Sequence, residues 1–436
     1  MITVENAYGQ LLAEGYIYSI PKSGYYVSDL SGIPVHQTEY TSETYEAEEQ
    51  GTDSRTAKAG DKVLLTGGEN AFIADFTSNQ TEHAAFPFSI WNKTMRAVMN
   101  DYQEEMMINP PCGGVMELRK SISSYLKEFC AMYVRPEQII IGAGTEYLYS
   151  ILIQLLGRNV CYGVENPGYP KIAKIYRSMG VKYEYIDLDE EGTSAKKLEE
   201  KKVDIMHISP SHHFPTGMVM PISKRYELLG WVTREKERYI IEDDYDSELR
   251  LAGKPIPSLQ SIDVSGKVIY INTFAKTLCS TVRISYMVLP EALAEKYYRE
   301  LSFYSCTVSN FEQYTLAAFM NAGAFEKHIN RLRNYYQHKR DLILSTFLRE
   351  PLGKYITISE EDSGVHFLMH VNTSMSEQEF LLKTRAKGIR LATLSSFYNA
   401  EQKDSRYENT YVMNYSFVNC DRLEYVAQTL YKIIHP

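Results

Sequence analysis

The sequence has no apolar run long enough to span a bilayer, and its N-terminus has no charged-then-apolar signal segment. Cysteine is sparse: Cys112, Cys130, Cys161, Cys279, Cys306 and Cys420 are scattered, with no CxxC pair. That argues against a disulfide framework and leads us to expect reduced thiols in a cytoplasmic protein. Positive charge is also short. With 46 Lys+Arg against 55 Asp+Glu, the formal net charge is −9, which opposes a generic nucleic-acid or anionic-membrane surface. The first 28 residues contain one basic residue, Lys22, too few to neutralise DNA phosphates. No internal repeat is visible. What remains is a chain of 436 residues, 44 % of them hydrophobic, enough for two or three domains with ample core.

Residues 3–14 carry a helical stripe of Val4, Ala7, Leu11 and Leu12, with Thr3 as N-cap and Gly15 as stop. Tyr16–Val27 reads as two short strands around a Pro-Lys-Ser-Gly turn. Residues 29–68 are polar and acidic without a sustained period, which predicts a flexible linker. Order returns at Phe72–Phe76, followed by a helix up to about Glu104 and an amphipathic helix within Gly113–Phe129. Strands and helices then alternate. Gln138–Ala143, Asn159–Glu165, Lys182–Asp189, Asp204–Ser209, Tyr239–Asp244 and Lys267–Asn272 are strand-like, a pattern of a largely parallel α/β sheet. From about Ser302 long helices begin, then a strand at Gly364–Val371 and a helix at Asp421–Ile434, predicting a second, α+β part.

Chemically useful residues recur just after these strands, where open α/β sheets build their sites. Gly144, Thr145 and Glu146 open a helix whose free N–H groups suit a phosphate, although, taken alone, an ordinary strand–helix turn is the better reading. The string GAGTEY does not fit GxGxxG, so a dinucleotide site is not expected. Tyr169 sits in a Pro/Gly turn and suits stacking on a planar ring or simple packing. His212 and His213 are adjacent, a poor arrangement for one metal ion, and no metal is expected. Asp243 or Asp244 can pair with a protonated ring nitrogen, and Tyr245 can hydrogen-bond a ring oxygen; helix capping or a metal-binding acidic cluster are the alternatives. Lys276 follows an apolar strand, with Thr273 before it and Arg283 after it. It is either a solvated surface lysine or a Schiff-base lysine with a hydroxyl and a guanidinium for a phosphate.

In this order the segments resemble the fold-type I pyridoxal-phosphate enzymes of the aspartate aminotransferase superfamily. FPFSIW, GGVMELR, SPSHHFPTG, IIEDDYDSE and TFAKTL are more similar still to the aminotransferase-like domain of MocR/GabR-type regulators. In those a GntR-type winged helix is linked to this domain. The resemblance implies a mostly parallel seven-stranded sheet with helices on both faces, a smaller α+β domain and an N-terminal winged-helix remnant, and it covers nearly the whole chain. It divides the chain into a remnant (1–28), a linker (29–68) and an aminotransferase-like domain (69–436). The large part of that domain is about 112–301, and the small part is about 69–111 plus 302–436. It implies pyridoxal 5'-phosphate on Lys276, with Asp243 at the pyridine nitrogen and Asp244 one residue away in register. Tyr245 would meet the ring's phenolic oxygen and Tyr169 would stack on the ring. Gly144, Thr145, Glu146, Thr273 and Arg283 would surround the phosphate. A homodimer is implied too.

The pattern has gaps. Asn414 stands where the family's carboxylate-clamping arginine is expected, with Arg390 and Arg406 as alternatives nearby. Phe214 stands for an asparagine, and Asn109 for a tyrosine that reaches the partner subunit's phosphate. The two helices expected before a winged-helix recognition helix are missing, so a truncated or decayed DNA-binding module is expected. Three functions follow. The first is a regulator sensing an amine or amino acid as an external aldimine. The second is an active aminotransferase. The third is an inert binding scaffold.

Overall fold

The computed structural model describes residues 7–8, 11–12, 17–20, 23–28, 72–251, 256–362, 364–399 and 407–435. Contacts divide the chain into two units, Met1–Gly67 and Gly68–Pro436. In the first, Ala7, Tyr8, Leu11 and Leu12 are helical, and β1 (Ile17–Ile20) pairs antiparallel with β2 (Gly24–Val27). The Tyr8 and Tyr25 rings meet at 5.0 Å. The expected linker, residues 29–68, lies outside the described residues.

The second unit opens with β3 (Ala74–Asp75). Its main sheet contains β4 (Ile139–Gly142), β5 (Cys161–Asn166), β6 (Lys182–Asp187), β7 (Ile205–Ile208), β8 (Tyr239–Asp243), β9 (Val268–Thr273) and β10 (Ser285–Val288). Strand order is β4-β10-β9-β8-β7-β5-β6. All neighbours are parallel except β10, which runs antiparallel to both β9 and β4. These strands are short and rich in isoleucine, as expected for strands buried on both faces. β10 was not singled out in the sequence, because Arg-Ile-Ser-Tyr-Met-Val continues the lysine loop without a turn signal. The seven-stranded α/β architecture is the one the resemblance implied.

A second, antiparallel sheet is built from β11 (Ile356–Ser359), β12 (His366–Val371), β14 (Ala392–Thr393) and β15 (Thr410–Asn414), in the order β11-β12-β15-β14. β13 (Ile389–Arg390) pairs with β3. The grouping of 69–111 with 302–436 needs one correction. Trp91, Val98, Leu316 and Phe319 pack in the same apolar cluster as Ile139, Ile141 and Tyr286. The helices Phe88–Asp101 and Asn310–Asn321 therefore share the core of the seven-stranded sheet. Helical periodicity shows which face is apolar but not which sheet covers it. The predicted helix up to Glu104 breaks at Tyr102.

Candidate functional site

A cavity of about 200 Å³ lies at the carboxyl ends of the parallel strands. It is bordered by β12 and β15, where His366 pairs in register with Asn414. Among the residues singled out in the sequence, Gly144, Thr145, Glu146, Tyr169, Asp243, Tyr245, Thr273, Lys276 and Arg283 all line it.

At one end, Gly144 leaves β4 with φ +90° and caps the helix Thr145–Leu156. A Cβ there would collide with the Arg283 guanidinium, so glycine is required by both backbone and space. Arg283, itself at φ +54°, donates from Nη2 to Glu146 Oε2 at 2.6 Å. Lys171 pairs with the other Glu146 oxygen. Burial raises the Glu146 pKa, but the Lys171 and Arg283 bonds outweigh it and bring the group to about 2. Glu146 therefore stands as the counter-ion of two cations, and its carboxylate cannot itself attract a phosphate. Thr273 ends β9; its Oγ1 accepts from Ser285 Oγ at 2.8 Å and from the Ala275 N–H at 3.2 Å.

Asp243 ends β8. Its Oδ2 accepts from the Tyr149 hydroxyl and lies 3.6 Å from His207 Nε2. Its Oδ1 is buried with no hydrogen-bond partner. Asp244, one residue on, faces away: it accepts from Tyr270 Oη at 2.7 Å and Ser247 Oγ at 2.8 Å, and it lines a different cavity. Strand alternation separates the two.

Lys276 Nζ donates to Asn79 Oδ1 at 2.8 Å, and the same oxygen accepts from Asn414 Nδ2 at 2.6 Å. Burial lowers the Lys276 pKa, and the Asp246 charge works against that shift. Tyr169 stands edge-on to Phe214, with ring centroids 5.9 Å apart. The Glu165 side chain is 9 % exposed; it accepts from the Ser209 N–H at 3.0 Å and lies 3.5 Å from His213 Nε2. Burial pushes Glu165 up to about 8 and His213 down to about 3.

Asn414, at the place of the expected clamping arginine, lines the cavity; of the two alternatives, Arg390 faces Asp75 at 3.4 Å outside it, and Arg406 lies outside the described residues. Asn109 is exposed and does not line it. Sequence reasoning missed Tyr149, His207 and Asn79. A histidine inside the apolar strand Ile205–Ile208 was a usable signal; Asn79, in an irregular segment, offered none. Among the described residues no metal-holding cluster of His, Cys, Asp and Glu occurs, and no helix is long and apolar enough to cross a membrane.

A family model, aminotransferase class I and II, matches residues 73–406. The chain is 37 % identical to the uncharacterized HTH-type transcriptional regulator YdeL of Bacillus subtilis, over 91 % of this chain and 81 % of that protein. It is 29 % identical to the probable rhizopine catabolism regulatory protein MocR of Rhizobium meliloti, over 90 % of this chain and 78 % of that one. The fold is similar to that of Pyrococcus horikoshii kynurenine aminotransferase, with a TM-score of 0.71 and 22 % identity, covering 84 % of this chain and 91 % of that one.

Proposed function

Because this chain belongs to the aminotransferase class I and II family, in the form carried by MocR-type helix–turn–helix regulators, we propose that it is a cytoplasmic, homodimeric regulator. In this reading it holds pyridoxal 5'-phosphate on Lys276 and senses an amine or amino acid there. The observation that carries the proposal is that the unpartnered Asp243 Oδ1 and the Lys276 ammonium open into one cavity, with Arg283 and Gly144 at its end. The residues fit the cofactor. An orphaned buried carboxylate oxygen needs a proton donor, and a pyridinium N–H is one. A glycine cradle beside a guanidinium suits a phosphate.

When bound, the cofactor supplies an aldehyde that captures amines and a ring that withdraws electrons. Lys276 would anchor it. Asp243, aligned by Tyr149 and His207, would keep the ring nitrogen protonated. Gly144, Thr145, Thr273 and Arg283 would hold the phosphate, with Glu146 beside them as the counter-ion that orients Arg283. Tyr169 would cover the ring, and Tyr245 would donate to its phenolic oxygen. At the substrate end Asn414 and Asn79 offer amides rather than a charge. A carboxylate there gains a neutral hydrogen bond in place of a bidentate ion pair, which favours sensing over efficient transamination of α-amino acids.

The test is the visible spectrum of the purified protein with pyridoxal phosphate, before and after a panel of amines and amino acids. A band that shifts without bleaching supports sensing. Bleaching to the pyridoxamine form with one donor would instead make the protein an aminotransferase. A DNA role is tested separately, by salt-dependent binding of the protein to DNA upstream of its own gene.

A further inference from the structure

His212 follows β7 and Asp246 follows β8, and both are almost fully buried at 4 % and 2 % exposure. His212 Nδ1 lies 3.0 Å and 2.9 Å from the two Asp246 oxygens. A carboxylate only accepts, so Nδ1 carries the hydrogen. The Tyr245 hydroxyl is 3.3 Å from the same Nδ1, and the two rings stack at 6.0 Å. With one proton on Nδ1, the Tyr245 oxygen can only be a second acceptor on that side. Its own O–H is left to point elsewhere, and Tyr245 lines the cavity.

The pair is also gripped from the second sheet. Gly364, at φ +66°, packs so closely that a Cβ would collide with His212 and with Asp246 Oδ2. The His366 ring lies 4.6 Å from that of His212. Adjacent His213 turns away, bonding Thr216 Oγ1 through Nδ1 at 2.7 Å. Asp243 has its own supports in Tyr149 and His207, so the His212–Asp246 pair is not part of its alignment.

We propose that His212 and Asp246 are positioning residues: together they fix the Tyr245 hydroxyl as a donor into the cofactor cavity and set a negative charge on the wall shared with Lys276. This rests on the cofactor reading above. The other charges acting on Tyr245 are Asp243 at the end of β8, Asp244 next to it and Glu165 from β5, and His366 from β12 lies in the field of Lys276. Glu360 also interacts electrostatically with His212. Burial, then the Asp246 charge, keep Tyr245 protonated. Among the described residues, the Asp246 charge acts on Lys276 against its burial.

The test is a pH titration of the visible band of the cofactor-loaded protein. Removing the Asp246 charge removes support for a cationic nitrogen at Lys276, so D246N lowers the midpoint, by about one pH unit. H212L removes the hydrogen bonds that hold the Asp246 carboxylate in place on the cavity wall, so the midpoint falls likewise. H212N, whose amide can still donate, stays near wild type. That rescue separates positioning from mere packing, and the His212 variants decide the matter should D246N not fold. An unchanged midpoint in D246N or H212L, with the band present, overturns the proposal. A wild-type protein without a band overturns the cofactor reading, and this proposal with it.

Discussion

Lys276 and Asn79 stand 197 residues apart and share a hydrogen bond of 2.8 Å, and the accepting oxygen also takes the Asn414 amide. The lysine is thereby tethered to β15, the strand that carries the neutral substitute for a carboxylate clamp. K276A should abolish covalent retention of the cofactor, and borohydride reduction followed by mass spectrometry should find no adduct. N79A should leave the adduct intact but loosen the lysine. An adduct in K276A would remove the lysine from its assigned role.

Asp243 is supported on one oxygen and empty on the other. Asparagine keeps its shape but cannot hold a proton on a ring nitrogen. D243N should bind pyridoxal phosphate at least about tenfold more weakly, from the loss of one charged hydrogen bond worth about 1.5–3 kcal/mol. Fluorescence titration with the cofactor measures this. D244N, on the opposite face of the strand end, should bind as wild type does.

Gly144 has φ +90° and no room for a side chain. G144A should displace Arg283, weaken phosphate binding, and cost about 1–3 kcal/mol through the strained backbone alone. Thermal unfolding gives the second effect. Competition between pyridoxal and pyridoxal phosphate gives the first, because only the phosphorylated form should lose affinity.

Glu165 supplies a pH prediction. Burial raises its pKa from 4.5 to about 8. In that interval the unfolded chain has lost the proton while the folded protein still holds it, so this group's contribution to stability falls as pH rises from about 4.5 to about 8. E165Q lacks the effect. The melting temperature of the variant minus that of wild type should climb across this window and level off above it. A flat difference would mean that Glu165 is ionised in the folded protein.

Much of the site was legible along the chain because it is made at strand ends. Each short apolar run, once recognised as a parallel strand, delivers its next few residues to the same edge of the sheet. Gly144, Tyr169, Asp243, Tyr245, Thr273 and Lys276 were found that way, and all line one cavity. Chain order also carried the largely parallel α/β sheet, since alternating strands and helices permit few alternatives; the seventh strand, β10, was implied only by the resemblance.

Three things were decided only by tertiary structure. The choice between Asp243 and Asp244 depended on the pleat of β8, which a one-residue shift would reverse. Tyr149, His207 and Asn79 reach the site from a helix, a neighbouring strand and an irregular segment, and no local pattern ties them to Asp243 or Lys276. The Arg283–Glu146–Lys171 cluster joins a loop to the first turns of two helices, across 137 and 25 residues. Sequence determines which residues the backbone delivers to an edge, because that follows from local geometry. Which side chain faces the cavity, and which distant group holds it there, follows from packing between elements, and that exists only once the sheet has closed over its core.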